Sequence, residues 1–233
     1  MIFSLKILRF HFHPLLFFLF IAAPLLSQDD EDPVLDFDAS KIKMSLLSLR
    51  LDAGIPNPIS SEVVRKKFVG VYEVSGCLNV RLAKMMSLGV GYENSLMSVS
   101  NRVRFGVKTK MQTHTGFARF SFNRYHRNAI FSTLFLNGGY SQIKFTDVVC
   151  LDNKLPNKNH SFYFLEPGYS LNFLAEENMT LGFFISYSVS NYLFNPNHIC
   201  LEDWTPLDNL ESTKNFSVLS FGLEMYWGLS RKK

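Results

Sequence analysis

The sequence predicts an all-β protein, an eight-stranded antiparallel up-and-down transmembrane β-barrel that follows a signal peptide. Two observations carry the prediction. In several segments large apolar side chains recur at every second position, opposite Ser, Gly and a few isolated charges, and the links between these segments alternate between long and short. A repeat of two is that of a β-strand. A bulky aromatic face opposite a small polar face is typical of a strand between lipid and a crowded barrel interior.

Segment 181–190, with the sequence LGFFISYSVS, shows this pattern most clearly. Its bulky residues alternate with Gly182, Ser186, Ser188 and Ser190, and only Phe184 departs from the order. The last predicted strand, at about 215–229, repeats the pattern. The residues of these two strands that are expected to face lipid are Leu181, Phe183, Ile185, Tyr187, Leu219, Phe221, Leu223 and Trp227.

The first 28 residues have the features of a secretory signal peptide, because a segment with Lys6 and Arg9 precedes an apolar run at 14–26. An uncleaved anchor is the alternative, but the run is shorter than the roughly 20 residues that a helical span needs. Residues 29–41 are acidic and are predicted to be a flexible leader. The barrel is assigned to residues 42–233, in which no segment is predicted to be a transmembrane helix.

Three predicted strands carry irregularities. The Pro56–Pro58 cluster is expected to end the first strand, Gly138–Gly139 suggests a bulge or close packing, and Pro167 is awkward in a central strand without a bulge. In the second strand, strict alternation places Phe68 and Tyr72 on one face. The predicted strands lie at about 42–53, 67–82, between 86 and 97, and at about 111–125, 129–145, 160–174, 181–192 and 215–229.

Seven links join the eight predicted strands, in the order long, short, long, short, long, short, long. Alternate links of an antiparallel meander lie at opposite ends of the barrel. Every long loop is therefore expected at one end, and every tight turn at the other end together with both termini.

With this asymmetry, the chain over about 42–229 resembles the small eight-stranded outer-membrane β-barrels of Gram-negative bacteria. The resemblance implies an outer-membrane location, extracellular long loops, periplasmic termini, contact with outer-membrane lipid and insertion by the barrel assembly machinery. The C-terminus departs from the family pattern, because Tyr226 and Trp227 are followed by six further residues instead of ending the chain.

With the apolar face outside, several charged residues point into the lumen. One interpretation is a salt-bridge network that plugs the barrel, and the other is a narrow polar or ion path. A general diffusion porin is not expected, because porins need about 16 strands. Besides Asp52, the predicted lumen network comprises Arg50, Glu73, Arg81, Glu93, Arg119, Glu166 and Glu224.

The cysteines suggest one disulfide. Cys150 and Cys200 fall in the third and fourth long loops, on the same side of the barrel, and export to an oxidising compartment permits a bond. Two free thiols are the alternative. Cys77 lies within a strand and is predicted to be a small packing residue. In the same fourth loop, Trp204 is a candidate for binding a partner.

The composition argues against several functions. The formal charge of +4 is carried by scattered residues, so nucleic acid is not an expected partner. His114, His160 and His198 lack metal-ligand spacing, and no catalytic arrangement stands out, so neither a metal, a cofactor nor an enzymatic activity is expected. The predicted role is an envelope component or a scaffold whose surface loops bind an extracellular ligand or protein. The alternatives are a soluble lipocalin-like barrel and a lipid-modifying enzyme.

Overall fold

The computed structural model describes residues 45–59, 62–99, 109–127, 130–148, 150, 159–176, 178–195, 200 and 215–229. The strands are β1 (Leu47–Pro58), β2 (Phe68–Arg81), β3 (Met86–Val99), β4 (Lys110–Arg127), β5 (Ile130–Thr146), β6 (Asn159–Glu176), β7 (Met179–Leu193) and β8 (Asn215–Gly228). Helix α1 (Glu62–Lys67) lies between β1 and β2. The predicted signal peptide and acidic leader lie outside the described residues.

The eight strands form one closed antiparallel barrel in chain order. β1 pairs with β2 on one side and with β8 on the other, where the ladder runs from Ser48 opposite Gly228 to Pro58 opposite Val218. Closure gives both outer strands of the sheet a partner, which removes exposed edges and satisfies backbone groups within the wall. The predicted fold class is confirmed.

The two ends of the barrel differ in their links. The links at 82–85, 128–129 and 177–178 are tight and lie where β1 begins and β8 ends; we call this the turn end. The longer links, 59–67, 100–109, 147–158 and 194–214, leave the opposite end, which we call the loop end. In the described part of the chain, no helix has the length and apolarity needed to cross a membrane.

The first predicted strand stops too early. β1 continues through Pro56, Asn57 and Pro58, which pair with β8, whereas the ladder to β2 ends at Gly54 opposite Glu73. Proline is tolerated in a strand where one side has no ladder partner, because its missing N–H then costs no hydrogen bond. The regular ladder between β1 and β2 therefore ends before the proline cluster, although Gly70 of β2 still lies against the Pro56 carbonyl.

A β-bulge in β2 corrects the predicted alternation. Gly70 pairs with Met97 and Tyr72 with Leu96, so that Val71 is the extra residue. The bulge reverses the faces: Phe68 is buried in the interior, whereas Tyr72 joins Val71 on the outer surface. Phe68 and Tyr72 therefore do not share a face, because strict alternation assumes an uninterrupted pleat.

Neither irregularity in the middle of the sheet produces a bulge. The register of β6 with β7 is the same before and after Pro167, from Leu165 opposite Val189 to Gly168 opposite Ser186. Gly139 stays in register with Phe117, and a Cβ at Gly139 would overlap the carbonyl of Gly116. Close packing is therefore the reason for glycine there.

Candidate functional site in the barrel interior

The turn-end half of the lumen contains a buried ion network built by strands from across the barrel. Arg50 Nε lies 3.3 Å from Asp52 Oδ1, and Arg119 Nη2 lies 3.3 Å from Asp52 Oδ2. Arg50 also pairs with Glu224. Ser75 donates to Asp52 at 3.0 Å. Because each charge has a partner of opposite sign, the network meets the condition under which buried charges are tolerated.

One aromatic ring holds the two guanidinium groups in place. The ring centre of Phe135 lies 4.8 Å from Arg50 Cζ and 4.4 Å from Arg119 Cζ. Arg119 Nε donates to Asn137 Oδ1 at 2.7 Å. On the neighbouring strand, a Cβ at Gly168 would overlap the Phe135 ring, so glycine is the residue that makes room for it. The arginine positions are thus fixed by packing as well as by charge.

Three glutamates lie around a small cavity on the loop-end side of this network. Glu73 accepts a hydrogen bond from Ser220 at 2.6 Å, and Glu166 accepts one from Asn137 at 3.3 Å. Glu93 lines the same cavity, whose volume open to water centres is about 30 Å³. That volume holds one or two water molecules and is far below the roughly 300 Å³ of a small-molecule pocket.

All seven residues of the predicted lumen network lie on the inner face, but not in one cluster. The structure brings Arg50, Arg119 and Glu224 together around Asp52. Arg81 is only half-buried and lies at the turn end of β2, where no ion pair joins it to described residues. The network fills the turn-end half of the lumen with side chains, and the cavity, which Met97 and Phe162 also line, lies on its loop-end side.

The interior of the loop-end half is apolar, unlike the small, polar lumen expected for the whole barrel. Helix α1 contributes Val64, which is fully buried, and Phe68 packs edge to face on Phe194 at 5.9 Å. We call this set the loop-end core. Its members are Val64, Phe68, Met97, Val99, Met111, Ile143, Phe145, Phe162, Phe164, Tyr192, Phe194, Phe216 and Val218.

On β3 to β6 the outer surface also changes from apolar to polar toward the loop end, whereas Val69 and Val71 of β2 and Leu193 of β7 remain exposed apolar residues there. Asn94, His114, Gln142 and Ser161 are consecutive register partners across β3 to β6 and point outward; we call them the polar row. Two residues along each strand toward the turn end, on the same face, Tyr92, Tyr140 and Tyr163 lie in a row with Gly116. A line of aromatic residues beside polar ones marks the edge of the apolar belt of a membrane barrel.

The outward Arg124 bounds the belt at the turn end. It lies ten residues along β4 from His114, and its register partner Ser132 is covered by His126, whose Nε2 lies 2.8 Å from Ser132 Oγ. Ten residues span about 33 Å of strand. At a tilt of about 40°, this corresponds to a belt about 25 Å tall, the height expected for the lipid-facing band of a membrane-spanning barrel.

The residues predicted to face lipid lie on this outer surface. Phe183 and Leu223 are the most exposed, at 62% and 60%. Leu181, Ile185, Phe221 and Trp227 are also exposed, whereas Tyr187 and Leu219 are half-covered by neighbouring side chains. On the opposite face of β7, Ser186 and Ser190 are buried in the interior.

At the loop end, a disulfide joins Cys150 to Cys200, with the two Cα atoms 5.2 Å apart. Cys200 is buried and adopts a positive φ of 55°. Cys77 is a free, buried cysteine on the inner face of β2. Trp204 lies outside the described residues.

The predicted histidines do not form a common site. His114 contacts Tyr92 and Asn94 on the outer surface, while His160 packs against Phe145 and Tyr192 at the loop end. His198 lies outside the described residues. Within the described ranges, no group of three or more His, Cys, Asp or Glu side chains is placed to hold a metal ion.

No protein-family model matches the sequence, and no curated protein is significantly similar to it. Among solved structures, Neisserial surface protein A matches with a TM-score of 0.52 and 10% identity, over 79% of this chain and 98% of that chain. Ail of Yersinia pestis (TM-score 0.42, 11% identity, 78% and 99% covered) and OprG of Pseudomonas aeruginosa (0.40, 9%, 81% and 99%) have lower scores. At these identities the likeness concerns the fold.

Proposed function

We propose, from the fold that this chain shares with the small eight-stranded outer-membrane β-barrels, that it is a closed surface scaffold of a bacterial outer membrane. In this proposal the loop end is extracellular, the turn end is periplasmic, and the long loops present binding surface to an extracellular ligand or protein. The observation that carries it is the coincidence of two changes along the same strands. Where the outer surface becomes polar, the interior becomes apolar.

This coincidence supports a barrel that projects beyond the bilayer. Along β5, Gln142 and Lys144 face outward while Ile143 and Phe145 are buried inside. That arrangement is normal for a protein part surrounded by water. Closer to the turn end, Leu136 faces outward and Asn137 inward, which is normal within lipid. On the β3 to β6 side, the loop-end core therefore lies behind a polar, water-exposed wall, and a rigid scaffold is a common support for binding loops.

The interior argues against a conducting pore. The loop-end core fills the lumen toward one end, and the ion network fills it toward the other. An ion path needs a continuous polar lumen, whereas Val64, Met111 and Ile143 are fully buried in apolar surroundings. Of the two interpretations of the lumen charges, the structural plug has the stronger support.

The other predicted alternatives have less support. A lipocalin-like carrier needs an internal cavity for an apolar ligand, but the cavity beside Glu73 and Glu166 has a volume of only about 30 Å³. Such a carrier would also have a polar exterior, in contrast to the exposed Phe183 and Leu223. For a lipid-modifying enzyme, the described residues offer no catalytic arrangement that would carry a proposal.

An epitope-insertion experiment tests the orientation and the location together. One variant carries the tag in the fourth long link, within 205–208, and its matched control carries the same tag in the tight turn at 83–84. We expect antibody to bind the first variant on intact cells of a Gram-negative host and the second only after the outer membrane is permeabilised. Both proteins should fractionate with the outer membrane and shift in gel mobility on boiling.

Two results would contradict the proposal. Access of antibody to the turn tag, but not to the loop tag, on intact cells would reverse the orientation. Recovery of both proteins in the soluble fraction, with no heat-dependent mobility shift, would exclude a membrane barrel.

A further inference from the structure

A hydrogen-bonded polar cluster lies on the outer surface of the barrel at the edge of the apolar belt. The Tyr72 hydroxyl donates to Asn94 Oδ1 at 3.0 Å, and Asn94 Nδ2 lies 3.0 Å from His114 Nδ1. The Tyr92 hydroxyl lies 2.5 Å from the same His114 nitrogen. Polar groups on the lipid side of a membrane barrel are costly within the belt. At its edge they lie at the depth of lipid headgroups.

This cluster directs one donor outward from the ring of His114. An amide nitrogen only donates, so Nδ1 of His114 accepts from Asn94 and carries no proton of its own. With Nδ1 accepting, the ring N–H lies at Nε2, for which no hydrogen-bond partner is found within the described residues. The network of neighbours thus fixes His114 as a hydrogen-bond donor at the surface.

A positive charge lies close to that donor. Lys144 points outward and is the register partner of Gln112, two residues along β4 from His114. Lys110 lies further toward the loop end, and its amino group is 3.3 Å from Asp147. Among the described residues no ion pair joins Lys144 to an acid, so its charge is the one available near His114. A cation beside an N–H donor favours an anionic group such as phosphate.

Directly on the turn-end side of this cluster, the apolar surface has a depression. Its floor is formed by Gly116, Ala118 and Gly138, of which Ala118 and Gly138 are register partners. A Cβ at Gly116 would meet no atom within 4 Å, and one at Gly138 would meet only Leu165 Cδ1 at 3.7 Å. Tyr92 and Leu165 stand on either side. Gly116 and Gly138 both have room for a larger side chain, so close packing does not require glycine at either position. The open space above them is therefore a real depression in the outer surface.

We propose that this face of β3 to β6 binds one phosphorylated lipid, with its phosphate at His114 and Lys144 and an acyl chain in the depression. A lipid suits the site better than a second copy of this chain, because donors at headgroup depth lie directly beside an apolar slot at chain depth. The inference rests on the proposed membrane location. Phospholipid and phosphorylated glycolipid share the required chemistry.

Native mass spectrometry of the refolded full chain in detergent tests this site. The probes are phosphatidic acid, diacylglycerol with the same acyl chains, lipid A with and without its phosphates, and inorganic phosphate. We expect the wild-type barrel to retain one phosphatidic acid about fivefold to tenfold more than diacylglycerol, the preference that one charge-assisted hydrogen bond supplies. Stronger retention of lipid A than of phosphatidic acid would identify the glycolipid as the source of the phosphate.

Three variants separate the two parts of the site. The double variant His114→Ala with Lys144→Gln should lose the phosphate preference, and Gly138→Leu should lower retention of every lipid severalfold. Gly76→Leu is the matched control, because Gly76 is also an outward glycine whose Cβ would meet only Leu51 at 3.6 Å, and it should match the wild type.

Absence of a phosphate preference in the wild type would overturn the inference, as would equal retention by the Gly138→Leu and Gly76→Leu variants. A wild-type dimer that Gly138→Leu dissociates would assign the depression to a second copy instead. Each protein is first tested for heat-dependent mobility. A barrel that passes this test without a phosphate preference refutes the lipid site alone, whereas loss of membrane behaviour refutes the proposed location.

Discussion

Asp52 of β1 and Arg119 of β4 form an ion pair across the lumen, with Arg119 Nη2 3.3 Å from Asp52 Oδ2. The two strands are not neighbours in the barrel wall, so the pair joins parts of the wall that no backbone ladder connects. Asp52 also contacts Arg50, and one carboxylate therefore serves two buried guanidinium groups. This makes Asp52 the central anion of the turn-end half.

Replacing Asp52 with Asn should destabilise the barrel by about 3 to 5 kcal/mol, because it leaves two buried cations without their shared partner. The measurement is urea unfolding of the refolded protein in detergent micelles. Lys110→Gln is the control: it breaks an ion pair of the same 3.3 Å length that is half-exposed. Its expected cost is about 0 to 1 kcal/mol. Equal costs for the two variants would show that burial of the Asp52 pair is unimportant.

The same chemical change at Glu93 should have the opposite effect. Glu93 shares a small cavity with Glu73 and Glu166, and no ion pair joins it to the described residues. Three carboxylates in a low-dielectric interior repel one another. Glu93→Gln should therefore keep or raise the urea midpoint, in contrast to Asp52→Asn. A loss as large as that for Asp52→Asn would mean that Glu93 has a stabilising cationic partner.

The change of polarity along β5 predicts how a positive charge is tolerated on the outer surface. Leu136→Lys places it in the apolar belt and should cost about 2 to 4 kcal/mol in a bilayer, whereas Gln142→Lys in the polar row should cost about 0 to 1 kcal/mol. Unfolding from lipid vesicles measures both. Equal costs would place Gln142 inside the hydrocarbon layer and would contradict the assigned belt.

The architecture was predictable because it depends on period and link length, which are local properties of the sequence. The strand order and the two unlike ends follow from seven links of alternating length. The inward positions of Arg50, Arg119 and Glu224 follow from simple parity within clean strands. Their mutual contacts did not follow, because barrel closure and strand stagger bring β1, β4 and β8 together.

The loop-end core was missed for a physical reason. Each strand was assigned one apolar face, but the apolar phase moves to the other face beyond the membrane boundary. In β5, outward Leu134 and Leu136 give way to inward Ile143 and Phe145, so no single phase of alternation describes the whole strand. The change becomes visible when the apolar alternation is assigned separately to the turn-end part and the loop-end part of each strand. The bulge at Val71 is a second shift of phase. Gly70 directly precedes it, but uninterrupted alternation also fits residues 68–82, so the sequence did not reveal the shift.

The disulfide between Cys150 and Cys200 should contribute substantially to the stability of the loop end. The bond closes a loop with a sequence separation of 50 residues. In the chain-entropy model, closing a loop of this length stabilises the folded state by about 4 kcal/mol. Cys200→Ser, or reduction of the wild type, should therefore lower the urea midpoint.

Cys77→Ala provides the matched control for that measurement, because Cys77 is the free cysteine of the described residues and is buried on the inner face. Reductant should still lower the urea midpoint of the Cys77→Ala variant, whereas it should not change the midpoint of Cys200→Ser. Maleimide should label the folded wild type only after reduction, since the Cys77 thiol is shielded by the wall. If reduction leaves the midpoint unchanged, the bond constrains only the long links, and the stability of the loop end must come from the loop-end core, where Val64 and Phe68 supply the packing.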